Sequence, residues 1–210
     1  MRASDLPRLG VIENPLDGDL FAKWSDLSGL DILCLGMSES QIDTFLAPSG
    51  PNSVHSLTLW SDHIDAEGAK YPLVIGDITQ RTDFPDGRFD AVITMSVLEH
   101  VSDLGAALAE MARITKAGGQ LLHIFGPVWS GPYGHHLCTG YEHPETNFYR
   151  WQMPAHMHLL CNEREVADYY EEIGLGRDWG ISVHSQFHLN DHINRIFYDE
   201  YAALFATYQV

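Results

Sequence analysis

The sequence predicts an α/β protein with a mostly parallel sheet and helices on both of its faces. Short apolar runs, typical of buried strands, alternate along the chain with amphipathic segments, and most runs end at a glycine or an aspartate. The chain has 210 residues, of which 45% are hydrophobic and 20% charged, as expected for one globular domain. Within a single domain 1–210, we expect a lead-in at residues 1–28 and an insert at residues 128–160.

The excess of acidic over basic residues limits the classes of partner that the protein is expected to bind. Lys and Arg number 12 against 29 Asp and Glu, which gives a formal net charge of −17. This balance disfavours binding to nucleic acid and to an anionic membrane surface, because both rely on cationic side chains. The N-terminus is polar, and no apolar run approaches the roughly 20 residues that span a bilayer. We therefore expect a cytoplasmic protein that binds a small molecule.

The three cysteines stand far apart in the sequence, at Cys34, Cys138 and Cys161. An odd number at such spacing matches neither a disulfide framework nor a CxxC metal pair. We expect reduced thiols in a reducing compartment.

Four strands are predicted in the first half of the chain. Their expected positions are Asp31–Leu35, Val54–Leu59, Leu73–Ile75 and Phe89–Met95. The first is a continuous apolar run that stops at Gly36, as in a strand buried on both faces. A helix at Ser40–Phe45 is expected to follow it and to end before Pro48.

The second half is predicted to continue the alternation. Its expected elements are a helix at Asp103–Thr115, a strand at Gln120–Phe125, a helix at Glu163–Ile173, a strand at Ile181–Phe187 and a helix at Asp191–Thr207. The glycine pair after the first of these helices indicates a turn into the fifth strand. After these six strands the sequence predicts no seventh. If the last strand or the last helix is exposed, it would offer a surface for a homodimer.

The segment Gly76–Gly126 carries a family resemblance. Its signature elements are Gly76-Asp77, Phe84–Gly87, Phe89-Asp90, Leu98–His100 and Gly118-Gly119. In this order and spacing they resemble the central third of class I S-adenosylmethionine (SAM)-dependent methyltransferases that act on small molecules. The resemblance implies a Rossmann-like sheet with SAM bound at the carboxyl ends of the strands.

The resemblance also implies roles for residues that follow the strands. Asp77 would accept a hydrogen bond from the adenine amino group, and Ile78 would pack on the adenine ring. A simpler role for Asp77 is that of a turn acceptor. Asp62, near the end of strand two, stands where a carboxylate would hold the ribose, or it is a solvated loop residue. The predicted cofactor-binding residues are Gly36, Ser38, Asp62, Asp77, Ile78, Met95 and Ser96.

The first glycine motif departs from the family pattern. The family has an acidic residue followed by Gly-x-Gly-x-Gly, and here only Gly36 remains of the three glycines. Cys34 replaces the acid, and Ser38 and Ser40 replace the other glycines. Glu39 would bring a negative charge near the SAM carboxylate unless its side chain turns away. Two outcomes stay open: a loop that still binds SAM, or a methyltransferase-like protein that has lost it.

The insert at residues 128–160 is rich in histidine. Five of the chain's 12 histidines lie there: His135, His136, His143, His156 and His158. One interpretation is a cap over the active site, with His135, His136 or His158 as a general base. The alternative without a catalytic role is that these histidines are hydrogen-bonded structural groups or lie exposed to solvent.

Metal binding is a further alternative for the same histidines. Glu142 or Glu145 would then add a carboxylate ligand. Adjacent histidines rarely bind one ion together, and HExxH-type helical spacing is absent from this stretch, so we predict no metal site.

The function predicted from these residues is SAM-dependent transfer of a methyl group to an oxygen or nitrogen atom of a small molecule. The alternative is a non-catalytic partner or scaffold that keeps the fold without the cofactor. A nicotinamide-dependent oxidoreductase is disfavoured, because it requires a GxGxxG pattern after the first strand.

Overall fold

The computed structural model describes residues 3–5, 21, 25–59, 69–139, 143, 146–150, 152–189 and 191–208. The chain divides into two compact units, one made of Pro15–Phe125 and Tyr201–Val210 and the other of Met1–Asn14 and Gly126–Glu200. We call the first the sheet unit and the second the helical unit. The single domain that the sequence predicts stays a prediction.

The sheet unit contains a sheet of five parallel strands in the order β3-β2-β1-β4-β5. The strands are β1 (Asp31–Leu35), β2 (Ser53–Thr58), β3 (Leu73–Ile75), β4 (Phe89–Met95) and β5 (Thr115–Ile124). The predicted α/β, Rossmann-like class is confirmed. The strand order reverses between β1 and β4, and ligands of such sheets bind beside that reversal at the carboxyl ends of the strands.

The core of this unit follows from the two central strands, which are nearly continuous apolar runs. Ile32–Leu35 in β1 and Ala91–Met95 in β4 are buried throughout, as expected for parallel strands covered on both faces. Two helices flank the sheet, α1 (Glu39–Phe45) and α2 (Leu104–Ile114). Ile42 of α1 packs into the same cluster as the two central strands.

The fifth strand begins five residues before its predicted start. The sequence predicts a turn at Gly118-Gly119, but these residues lie inside β5, where the pairing shifts between Phe89 and Ala91 of β4. Gly118 has a φ of 77°, and a Cβ on Gly119 would lie 2.7 Å from the carbonyl oxygen of Asp90. The glycine pair therefore forms a bulge within the strand rather than a turn before it.

Hydrogen bonds connect the turn Phe84–Gly87, part of the signature described above, to α2. The Arg113 guanidinium donates to both carboxylate oxygens of Glu110, to the Phe84 carbonyl at 2.9 Å and to the Asp86 carboxylate. The Gly87 N–H donates to the Arg113 carbonyl at 2.9 Å. This one arginine thus connects the end of α2 to the turn that starts β4.

The helical unit contains α3 (Met157–Leu160), α4 (Glu163–Glu172) and α5 (Arg177–Leu189), and α6 (Tyr198–Thr207) spans the boundary between the units. A capping box begins α4: the Glu165 N–H donates to Oδ1 of Asn162 at 3.1 Å, and the Asn162 N–H donates to the Glu165 carboxylate at 2.9 Å. Among the helices of the described residues, none combines the length and apolar character needed to cross a membrane. The cytoplasmic location stays a prediction.

The sixth strand predicted at Ile181–Phe187 is wrong, because these residues lie within α5. The alternation of Ile181 and Val183 favours a strand, but Ile181 is 37% exposed. The buried residues of α5 are Gly180, Val183 and Phe187, at the helical spacing of three and four. Packing against α4 therefore selects the helix over the local β propensity.

The last helix is shorter than predicted. The sequence predicts a helix from Asp191, but α6 begins at Tyr198. The Phe197 N–H donates to the Glu200 carboxylate at 2.7 Å, and the Tyr198 N–H donates to the Ser130 hydroxyl at 3.1 Å. These bonds satisfy donors that a helix start leaves open, and so they set the boundary.

Gly180 brings α4 and α5 close together, and its replacement by alanine tests this packing. A Cβ there would lie 2.6 Å from Cα of Ala167 and 2.9 Å from the carbonyl oxygen of Val166, both backbone atoms. We expect Gly180→Ala to lower the free energy of unfolding by about 2 kcal/mol, since overlap with backbone outweighs the gain in helix propensity. Urea denaturation followed by circular dichroism measures the change.

Gly105 in α2 is the matched control for Gly180. Its added Cβ would meet only ordinary contacts, at 3.6 Å or more, so Gly105→Ala should stabilise the protein by up to about 1 kcal/mol. Equal effects of the two substitutions would contradict the close approach of α4 and α5.

Candidate functional site

The carboxyl ends of β1 and β4 meet at Gly36. Leu35 pairs with Thr94, and the next residue, Gly36, has a φ of 70°. A Cβ on Gly36 would lie 2.2 Å from Cγ2 of Val97 and 3.3 Å from the Met95 carbonyl oxygen. Both the left-handed backbone and the tight approach require glycine here. The one glycine of the motif that remains is thus the one that the sheet geometry needs.

Ser38, which replaces a family glycine, caps helix α1. Its hydroxyl accepts the Gln41 N–H at 3.3 Å, and its own N–H donates to Oε1 of Gln41 at 2.8 Å. The Gln41 amide also reaches Sδ of Met95 at 3.6 Å. This capping box joins the loop after β1 to the end of β4. Gln41 was not predicted as a site residue, although the spacing Ser-x-x-Gln signals such a box.

The Glu39 side chain contacts a residue close to the start of β3. Oε1 of Glu39 accepts the backbone N–H of Lys70 at 2.5 Å. Whether this contact keeps the carboxylate away from a bound SAM carboxylate, as the sequence analysis requires, stays a prediction.

Cys34, at the position of the family acid, is a buried thiol. It donates to the His55 carbonyl oxygen at 3.3 Å, and burial raises the pKa of the thiol to about 12. The group is neutral at pH 7, so it does not supply the negative charge that the family pattern has at this position.

Asp77 follows β3 and forms a turn with one carboxylate oxygen. Oδ1 accepts from both the N–H and the hydroxyl of Thr79, each at 2.8 Å. Among the residues that the structure describes, Oδ2 has no hydrogen-bond partner. The turn role and the adenine role are therefore compatible, because each uses a different oxygen. Ile78 beside it is buried.

Met95 and Ser96 lie where β4 ends. Met95 is buried, whereas Ser96 is exposed and has a φ of 52°, which is rare for a residue other than glycine. The Ser96 N–H donates to the Ile124 carbonyl oxygen at 2.7 Å and holds this conformation against the end of β5. Asp62 lies outside the described residues, so its ribose role stays a prediction.

The buried histidines His135 and His158 lie in the core of the helical unit. Nδ1 of His135 accepts the Leu137 N–H at 3.0 Å, and Nε2 of His158 donates to the Trp129 carbonyl oxygen at 2.8 Å. Their ring centres are 5.2 Å apart, and both rings contact Phe187.

Burial sets the protonation of this histidine pair. It lowers the pKa of His158 to about 4 and that of His135 well below the ordinary value. Both rings are therefore neutral at pH 7. These contacts match the alternative of hydrogen-bonded structural groups, and a general-base role stays a prediction.

His136, the third candidate base, has a separate environment. Its φ is 48°, Nε2 donates to the Pro127 carbonyl oxygen at 2.8 Å, and the ring stacks on Phe148 with centres 4.6 Å apart. The predicted catalytic histidines all belong to the helical unit, and the predicted cofactor residues to the sheet unit. Glu142 and Glu145, the carboxylates of the metal alternative, lie outside the described residues.

The segment that contains the sheet is similar to known proteins. Residues 33–123 match the model of a methyltransferase domain. The ubiquinone/menaquinone biosynthesis C-methyltransferase UbiE of Chromobacterium violaceum is 31% identical over 118 residues, which cover 55% of this chain and 44% of that protein. The ubiquinone biosynthesis O-methyltransferase of Rhodopseudomonas palustris is 55% identical over 38 residues, or 18% of this chain and 15% of that protein.

A solved structure is similar at lower identity. The SAM-dependent methyltransferase from Mesorhizobium loti is 21% identical, covers 54% of this chain and 55% of its own, and superposes with a TM-score of 0.45. The chain spans less than half the length of the curated relatives it matches. The segment 33–123, which is less than half of this chain, is thus similar to a methyltransferase domain.

Proposed function

We propose that the chain is an enzyme that transfers the methyl group of SAM to a small molecule. The observation that carries this proposal is the junction at Gly36, where the loop after β1 meets the end of β4 at the reversal of strand order. This junction lies inside the segment that matches the methyltransferase domain.

The residues at this edge of the sheet fit SAM. Gly36 leaves the end of β1 free of a side chain, and the charge of Glu39 is bound to the Lys70 N–H, so repulsion of the SAM carboxylate is reduced. Oδ2 of Asp77, which has no hydrogen bond to the part of the chain that the structure describes, could accept from a donor such as the adenine amino group. These three features support SAM binding despite the loss of two motif glycines.

The roles proposed for the site residues follow this fit. Asp77 would bind the adenine amino group, with Ile78 beside it, and Asp62 would hold the ribose. The loop Gly36–Ser38 and the β4 end at Met95 and Ser96 would surround the methionine part. SAM supplies an electrophilic methyl group. The chain's own contribution would be to align the acceptor and to exclude water.

The acceptor atom that we propose is an oxygen or nitrogen of a small molecule. Such an atom loses a proton on methylation, and His135, His136 and His158 remain the proposed bases. A carbon acceptor is the second candidate, because two of the relatives are named as C-methyltransferases. Transfer from SAM with a ¹³C-labelled methyl group, followed by NMR of the product, distinguishes O-, N- and C-methyl groups by chemical shift.

The other candidate function is a partner or scaffold that has lost SAM. It is favoured by the capping box, which occupies both the hydroxyl and the N–H of Ser38. Calorimetric titration with SAM and S-adenosylhomocysteine separates the two functions. Saturable binding at one site supports the enzyme, and no heat at millimolar ligand supports the scaffold.

Asp77→Asn tests the adenine contact. The substitution keeps an acceptor for the Thr79 turn but replaces Oδ2 by an N–H donor, which would face the adenine amino group. We expect the affinity for SAM to fall about tenfold or more, since a hydrogen bond to a charged acceptor is lost. Isothermal titration gives the dissociation constants.

Asp83→Asn is the control for this measurement, because Asp83 is exposed on the same stretch of chain. It should bind SAM like the native protein. Unchanged affinity in Asp77→Asn would show that the adenine amino group is bound elsewhere.

A further inference from the structure

Helix α5 carries two histidines one turn apart, on the part of the chain outside the methyltransferase segment. His184 and His188 are four residues apart, and their ring centres lie 5.0 Å from each other with an interplanar angle of 66°. His184 is half-buried and His188 is exposed. Neither ring has a hydrogen bond to any residue that the structure describes. The two rings are thus adjacent and open to water.

This geometry suits a shared metal ion. Residues at i and i+4 lie on one face of a helix, and histidines at this spacing are a recurrent metal-binding pair. Two imidazoles that bind one ion tetrahedrally, with nitrogen–metal distances of about 2.0–2.1 Å, have ring centres about 5 Å apart. The separation of His184 and His188 matches this value before any ion is bound.

The surroundings favour a bound cation. Glu163, at the start of α4, interacts electrostatically with His184. The Glu163 carboxylate adds negative charge near the pair. Arg195 is also close, but its guanidinium donates to the backbone carbonyl of His188, at 2.6 Å.

We propose that His184 and His188 form a surface site for one divalent transition-metal ion, such as Zn²⁺. The described ranges contain no group of three or more His, Cys, Asp or Glu arranged to hold a metal. The site therefore has two protein ligands, and water completes the coordination. Imidazole ligands favour Cu²⁺ over Zn²⁺ and disfavour Mg²⁺ and Ca²⁺.

A spacing variant tests the site without changing the number of histidines. Calorimetric titration with ZnCl₂ at pH 7.5 compares the full chain, free of any affinity tag, with His184→Gln, His188→Gln and the pair His188→Gln plus Gln186→His. The last variant moves one imidazole to another face of α5. We expect each of the three to bind Zn²⁺ at least about tenfold more weakly than the native chain. His100→Gln, at an exposed histidine of the sheet unit, should bind like the native chain.

Thermal unfolding gives a second, independent measurement. Zn²⁺ should raise the melting temperature of the native chain, because an ion that binds only the folded state stabilises it, and this rise should be lost in the spacing variant. Equal Zn²⁺ affinity and equal thermal shift in the native chain and the spacing variant would overturn the proposal. Neither measurement depends on SAM binding or on methyl transfer.

Discussion

Replacing Gly36 with alanine is expected to lower the free energy of unfolding by about 3 kcal/mol and to weaken SAM binding at least tenfold. Two costs add. An alanine at a φ of 70° adopts the disfavoured left-handed conformation, and its Cβ overlaps Cγ2 of Val97 at 2.2 Å. Val97 follows Ser96, just after the end of β4, so relief of the overlap would displace the proposed cofactor loop.

Gly50→Ala separates these two costs. Gly50 has a φ of 68° and nothing within 4 Å of an added Cβ. Its alanine variant should therefore lose only the free energy that a left-handed backbone costs, about 1 kcal/mol. Combining Gly36→Ala with Val97→Ala should recover the part due to overlap. Urea denaturation and SAM titration measure both effects. Equal losses in Gly36→Ala and Gly50→Ala would mean that the contact with Val97 has no energetic weight.

Arg113→Met is expected to lower the free energy of unfolding by about 3 kcal/mol at pH 7. The Arg113 and Glu110 side chains are only 15% and 7% exposed, so removal of the arginine leaves a buried carboxylate without its main partner. The Phe84–Gly87 turn would also lose its attachment to α2. The control is Arg81→Met, because Arg81 pairs with the same Asp86 but is 72% exposed. Its loss should cost less than about 1 kcal/mol.

The pH dependence of the Arg113 effect has a defined sign. Burial raises the pKa of Glu110, but hydrogen bonds from Arg113 and Thr82 lower it more, to about 2 from an ordinary 4.5. A carboxyl with a depressed pKa stabilises the folded state above pH 4.5 and loses that contribution as the pH falls toward 2. The difference between native and Arg113→Met should therefore shrink between pH 5 and pH 3 in urea denaturation. A constant difference would place the effect outside this ion pair.

The parts of the fold that the sequence predicts well are those encoded locally. The apolar runs of β1 and β4 and the helix predicted at Glu163–Ile173 are contiguous signals, and each element lies within a residue or two of its prediction. The strand predicted at Ile181–Phe187 is wrong because the helix found there depends on the packing of Gly180 against α4, a contact distant in sequence. The predicted start of β5 is wrong because a glycine pair encodes a bulge as readily as a turn.

The candidate site is also predicted from the sequence only where the signal is local. The requirement for Gly36 follows from the motif, but the reason that Ser38 replaces a glycine appears only when its bonds to Gln41 are seen. The orientation of Glu39 depends on Lys70, 31 residues away, and no local pattern predicts it. The histidine-rich sequence likewise does not indicate that His135 and His158 pack together in a core.

The strand order β3-β2-β1-β4-β5 constrains how the sheet assembles during synthesis. β1 can pair with β2 soon after both leave the ribosome, but its other neighbour is β4, and the Asp31 N–H bonds to an aspartate 59 residues later. Until that segment emerges, the inner edge of β1 has unpaired backbone groups and apolar side chains. Such long-range parallel pairing is slow. The nascent chain should therefore be most prone to aggregation, and most in need of chaperones, after β3 and before β4 is complete.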